Sequence, residues 1–147
     1  MFLRLPTRYI LLITLLLLAR IGVAQTDPIE RKWYVDDKTA IIEIFRAPDN
    51  TYFGKVVWLK RRTLNGKEKI DIHNPDTSKR RQTLLGLTVL KGFKKIKEDE
   101  YDGGTIYDPK NGKSYSCKMI CAGDKLHVRG YIGFSLFGKS TVWTKAD

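Results

Sequence analysis

Only two cysteines and two histidines occur among the 147 residues, and that scarcity removes whole classes of chemistry. Cys117 and Cys121 stand in a stretch that alternates as a strand does, so at about 3.3 Å per residue their Cα atoms lie roughly 13 Å apart. A disulfide needs less than about 7 Å, and the same gap stops both thiols from gripping one zinc ion. They read as free thiols filling an apolar interior. His127 falls on the opposite face of the same ribbon, which leaves a Cys–His nucleophile without its geometry. A nucleophile-elbow motif is missing too. The Asp71–Asp76 loop does not match a calcium loop, because His73 and Pro75 fill slots that need oxygens. With no cofactor motif in sight, the chain reads as a non-enzyme that carries no cofactor or metal.

Long hydrophobic runs are equally scarce. The one that stands out, ILLITLLLLA over residues 10–19, follows Arg4 and Arg8, is closed by Arg20, and is succeeded by Gly22-Val23-Ala24. Ten residues fall short of the about 20 that span a bilayer. The flanks are those of a secretory signal, so residues 1–24 are expected to be cleaved and the product exported to the periplasm or beyond. Residues 25–147 suit one domain with its own core. A second membrane segment is missing from them. Three of the 27 basic residues leave with the signal and all 16 acids stay, so the net charge falls from +11 to +8.

Also missing is a helical apolar stripe. From Trp33 onward the chain is Val, Ile, Tyr, Phe, Trp and Thr, cut by Gly, Asp, Asn and Pro. Strands are predicted over 33–35, 40–46, 52–60, 84–90, 105–107, 114–121, 125–132 and 140–145. Turns are predicted at Asn65-Gly66, Asp102-Gly103-Gly104 and Asn111-Gly112. One short surface helix is predicted from Asn74-Pro75 through Thr83, capped by Asn74. The best-specified element is the hairpin at residues 115–132, folded at Gly123-Asp124. It sets Cys121 against Leu126, Met119 against Val128, Cys117 against Gly130 and Tyr115 against Ile132 on one oily side. Ile120/His127, Lys118/Arg129 and Ser116/Tyr131 share the other, mostly polar side. One ribbon cannot bury its oily side alone, so an all-β barrel or sandwich closes over it.

Several motifs occur in a telling order: Gly54-Lys55-Val56-Val57-Trp58, then Asp71-Ile72-His73-Asn74-Pro75-Asp76 with Arg80 and Leu84-Leu85-Gly86. Gly103-Gly104-Thr105-Ile106-Tyr107-Asp108-Pro109 with Gly112-Lys113-Ser114-Tyr115 follows, and Thr141-Val142-Trp143 closes the set. Together these resemble the bacterial exported family of domain of unknown function 2147 over residues 33–144. Lys79, Gln82 and Thr83 depart from its commoner residues. The resemblance implies a single antiparallel calycin-like barrel, similar to lipocalins and fatty-acid-binding proteins, and no agreed activity.

An interior cavity is then the first functional candidate, lined by Trp58, Tyr115, Met119 and Val128. Arg80 is placed to meet an acidic ligand if its loop folds over the mouth. Arg129-Gly130-Tyr131 looks similar to the carboxylate clamp of fatty-acid-binding barrels, but the hairpin register turns both side chains outward. The leading reading is a noncatalytic exported barrel that binds a small apolar or lipid-like ligand. The alternative is a cell-envelope module whose basic clusters (Lys60-Arg61-Arg62, Lys79-Arg80-Arg81 and residues 91–97) dock an anionic lipid, polysaccharide or protein. Nucleic acid is a poor partner for an exported protein.

Overall fold

The computed structural model describes residues 26–134 and 136–146; the predicted signal, residues 1–24, lies outside them. Ten strands form among the described residues: β1 Lys32–Tyr34, β2 Ala40–Arg46, β3 Tyr52–Leu59, β4 Thr63–Leu64, β5 Lys67–Glu68, β6 Thr88–Lys95, β7 Glu100–Asp108, β8 Lys113–Ala122, β9 Lys125–Tyr131 and β10 Gly138–Lys145. Eight of them close an antiparallel barrel in the order β1-β10-β9-β8-β7-β6-β3-β2, while β4 and β5 make a separate small hairpin. The β8–β9 ribbon has the predicted register, with Cys117 opposite Gly130, Met119 opposite Val128 and Cys121 opposite Leu126. Gly123 supplies the positive φ, 61°, that the first position of its turn requires. Asn65 and Gly66 both take positive φ, as the tight β4–β5 turn demands.

Apolar residues turn inward on the long strands, by simple alternation except where the register shifts, as on β6, where Val89, Leu90 and Phe93 are all buried. Ile42 and Ile44, Tyr52 and Val56, Leu90 and Phe93, Met119 and Cys121, and Leu126 and Val128 are buried in one cluster. The outer faces carry charge, as in the Glu43–Lys55 pair at 3.2 Å across β2 and β3. That is the reverse of a lipid-embedded barrel, whose apolar band faces out. Among the described residues no helix is long and apolar enough to cross a membrane.

Four expectations need correction. The strand predicted at 84–90 begins at Thr88 and runs to Lys95, so the basic stretch after Leu90 is strand, with Phe93 buried. Asp102-Gly103-Gly104 is not a turn; it sits inside β7, where a bulge shifts the register between Tyr101 and Gly104. A Cβ at Gly104 would overlap the Phe93 ring, so the glycine is there for close approach rather than for a chain reversal. The predicted helix is a single 3-10 turn, Thr77–Lys79, capped by Asp76 rather than Asn74. Without an apolar stripe it has nothing to pack a longer helix against the barrel. Finally, β9 ends at Tyr131, so Ile132 leaves the oily row and is exposed at the barrel rim.

Candidate functional site: a cavity open at one end

The two ends of the barrel differ. Residues 26–31 fold across one end and close it. Ile29 is buried there, and the Trp33 indole N–H donates to its carbonyl at 3.0 Å. Asp27 fixes this segment by accepting from the Tyr52 hydroxyl at 3.0 Å, from Lys95 Nζ at 2.7 Å and from the Tyr101 hydroxyl. Burial and the Asp27 carboxylate push the Tyr52 hydroxyl up to about 12 and raise Tyr101 as well. Phe93, Met119 and Leu126 pack nearby in the same buried core.

Above this plug lies a cavity of about 690 Å³, within the 300–1,000 Å³ typical of small-molecule sites. Ile42, Val56, Val89, Ile106, Val128 and Trp143 form its apolar wall. Each comes from a different strand; alternation points them inward, except Val89, which the β3–β6 register shift leaves as an extra residue buried beside Leu90. Gly130 contributes bare backbone to that wall, and a Cβ there would meet Ile106 Cγ2 at 3.4 Å and Tyr115 Cβ at 3.7 Å, ordinary contact. Polar groups gather at the mouth. Lys110 reaches Asp37 at 3.5 Å, joining the β7–β8 and β1–β2 loops across the rim. The Asn111 amide donates to the Tyr115 hydroxyl at 3.0 Å, and Lys69 and Lys139 also line the opening.

Of the residues expected to line the cavity, Tyr115 and Val128 do. Met119 points inward but lies outside the lining, buried in the core cluster. Trp58 is on the outer surface, 40% exposed, with its ring edge-on to Tyr34 at 6.0 Å. The cause is a bulge: Ile41 pairs with Trp58 but Ile42 with Val56, so Val57 is an extra residue. It reverses the phase of the strand end and turns Leu59 inward in place of Trp58. Arg80 stays outside the cavity as well, exposed, its guanidinium folded back onto the Asn74 carbonyl at 2.8 Å. Arg129 faces outward as predicted, donating to Ser140 Oγ at 2.9 Å, while Val128 is buried.

Both thiols are free and buried. Burial pushes the Cys117 thiol up to about 12 and raises Cys121 too, so neither has the thiolate character that reactivity needs. His127 pairs with Ile120 on the outer side, away from them.

Asp71, the buried acid among the described residues, staples the long β3–β6 excursion to the barrel. It accepts from the Tyr107 hydroxyl at 2.7 Å and from Asn74 Nδ2 at 2.7 Å. Burial and this carboxylate push the Tyr107 hydroxyl up to about 12. Asp71→Ala orphans two donors, which costs about 1–3 kcal/mol. The expected result is faster proteolytic cleavage within residues 72–83, with β8–β9 amides still protected from hydrogen exchange.

A family profile described as "Uncharacterized protein conserved in bacteria (DUF2147)" matches residues 31–145. Among solved structures, one described as "Protein HP1028 from the human pathogen Helicobacter pylori belongs to the lipocalin family" superposes with a TM-score of 0.71. It is 17% identical, and the match covers 81% of this chain and 83% of that one. At that identity the likeness concerns the fold. No curated protein matches the sequence. A profile spanning all eight barrel strands, on a lipocalin-like barrel open at one end, places the chain in the DUF2147 family of bacterial proteins.

Proposed function

We propose that this chain is an exported barrel that binds a small, largely apolar or lipid-like ligand in its cavity, without catalysis. The observation that carries the reading is the cavity itself, whose wall is mainly apolar and whose charged groups gather at the rim. Burying a hydrocarbon chain there releases about 0.8 kcal/mol per methylene. Lys69 and Lys139 at the rim provide ammonium groups for an acidic head. Export rests on the basic, apolar and small-residue pattern of residues 1–24.

Native mass spectrometry of the protein from its host tests both parts. The expected spectrum shows a chain beginning at Gln25 that carries a hydrocarbon-rich adduct. In titrations, affinity is expected to rise about fourfold for each methylene added to a fatty acid, until the chain outgrows the cavity. Salt is expected to change it little. Binding that ignores chain length and collapses with salt contradicts the reading and favours docking of a polyanion on the basic exterior.

A further inference from the structure

The loop between β9 and β10 presents Ile132, Phe134, Leu136 and Phe137 to water, with 68%, 79%, 84% and 74% of their surfaces exposed. Single exposed apolar residues are ordinary, but a cluster of this size on one loop marks a contact site. Local bonds hold it in place. The Ile132 amide donates to the Phe137 carbonyl at 3.2 Å, the Phe137 amide to the Phe134 carbonyl at 3.1 Å, and the Arg129 guanidinium to the Leu136 carbonyl at 3.4 Å. Ile132 and Phe137 also edge the cavity mouth, so this apolar rim is continuous with the opening.

Charge is sorted along the same axis. The connections that leave the strands at the open end, residues 35–39, 60–87, 109–112 and 132–137, hold ten basic and five acidic residues. The segments at the closed end, residues 26–31, 47–51, 96–99 and 123–124, hold two basic and six acidic ones. The open end is therefore positive and the closed end negative. Two of the acids near the mouth are locally engaged: Asp37 with Lys110 and Thr39, and Asp108 with the Lys110 amide.

We propose that the open end docks on an anionic lipid bilayer, with Phe134 and Leu136 entering the headgroup–acyl boundary while basic side chains of the neighbouring connections meet lipid phosphates. Apolar insertion and attraction to anionic headgroups reinforce each other at an interface. A symmetric dimer through this surface is disfavoured, because two positive ends would face each other. Docking in this pose brings the cavity mouth to the bilayer surface, where a lipid-like ligand is exchanged without crossing water. That consequence rests on the ligand-binding reading; the docking itself does not.

The test is flotation of residues 25–147 with vesicles of equal parts phosphatidylcholine and phosphatidylglycerol, and with phosphatidylcholine alone. The wild-type chain is compared with the double variant Phe134→Ser/Leu136→Ser. Neither residue lines the cavity, so uptake of a fluorescent fatty acid reports that the variant is folded and hollow. Wild type is expected to float with the anionic vesicles, less so as salt rises. Partition should be weaker by about tenfold or more for the double variant, and likewise on phosphatidylcholine alone. Equal partition of variant and wild type, or no flotation of either, overturns the proposal. So does a wild-type dimer in sedimentation velocity that the substitutions disperse without any vesicle binding. Flotation that persists in a protein taking up no fatty acid leaves the docking standing and overturns the ligand reading.

Discussion

Asp27→Ala is expected to lower the free energy of unfolding by about 3 kcal/mol, a large share of the roughly 5–15 kcal/mol available to a domain. The substitution removes the acceptor shared by the Tyr52 and Tyr101 hydroxyls and the Lys95 ammonium. Tyr52 and Tyr101 are buried with their rings edge-on at 5.0 Å, so the freed hydroxyls cannot simply turn to water. Residues 26–31 would lose their anchor, and Ile29 with them. Urea unfolding at neutral pH measures the loss.

The same carboxylate gives the barrel an acid sensitivity of definite sign. Burial alone would raise the Asp27 carboxyl, but the bonds from Lys95, Tyr101 and Tyr52 outweigh it and hold it below its ordinary value of 3.8. A group depressed by folding contributes its full stability above that ordinary value and loses it as pH falls through the depressed one. Wild type is therefore expected to lose stability between about pH 5 and pH 2 more steeply than Asp27→Asn, which has no proton to gain. Parallel acid curves for the two proteins would show that the cluster is not what responds.

The second large effect falls on binding. Gly130→Phe is expected to keep the barrel folded and to weaken fatty-acid binding roughly 15- to 60-fold, the equivalent of displacing two or three methylenes. Gly130 is opposite Cys117 in the ribbon and borders the cavity, and a Cβ there meets its neighbours at ordinary contact distances. The rest of the ring then has the cavity to fill. Trp58→Ala, on the outer face, is the control that should leave affinity unchanged. Titration of both variants with one fatty acid separates loss of room from loss of a surface aromatic.

How far these residues were legible in the sequence depends on which physical rule placed them. The β8–β9 ribbon was readable because Gly123 fixes the turn and a one-residue slip would turn every apolar side chain outward. That register is what placed Val128 inside and Arg129 outside. Trp58 escaped the same alternation rule because the extra residue, Val57, is an ordinary valine that announces no bulge. The bulge in β7 was misread for the opposite reason: Gly103-Gly104 looks like a turn, and only the Phe93 ring packed over Gly104 shows why a strand needs glycine there. Phe93 was in turn hidden in a run of lysines that read as surface. Asp27 gave no signal, since its partners lie 25, 68 and 74 positions away and meet it only when the barrel closes.

Methyl-resolved NMR during titration with a saturated fatty acid tests the hollow interior most directly. The expected shifts fall on Ile42, Val56, Val89, Ile106 and Val128, which line the cavity, and spare Met119 and Leu126 in the plug beneath. Shifts confined to the outward-facing Ile120 and Val142, or none up to saturating ligand, would contradict a cavity that takes up ligand through its open end.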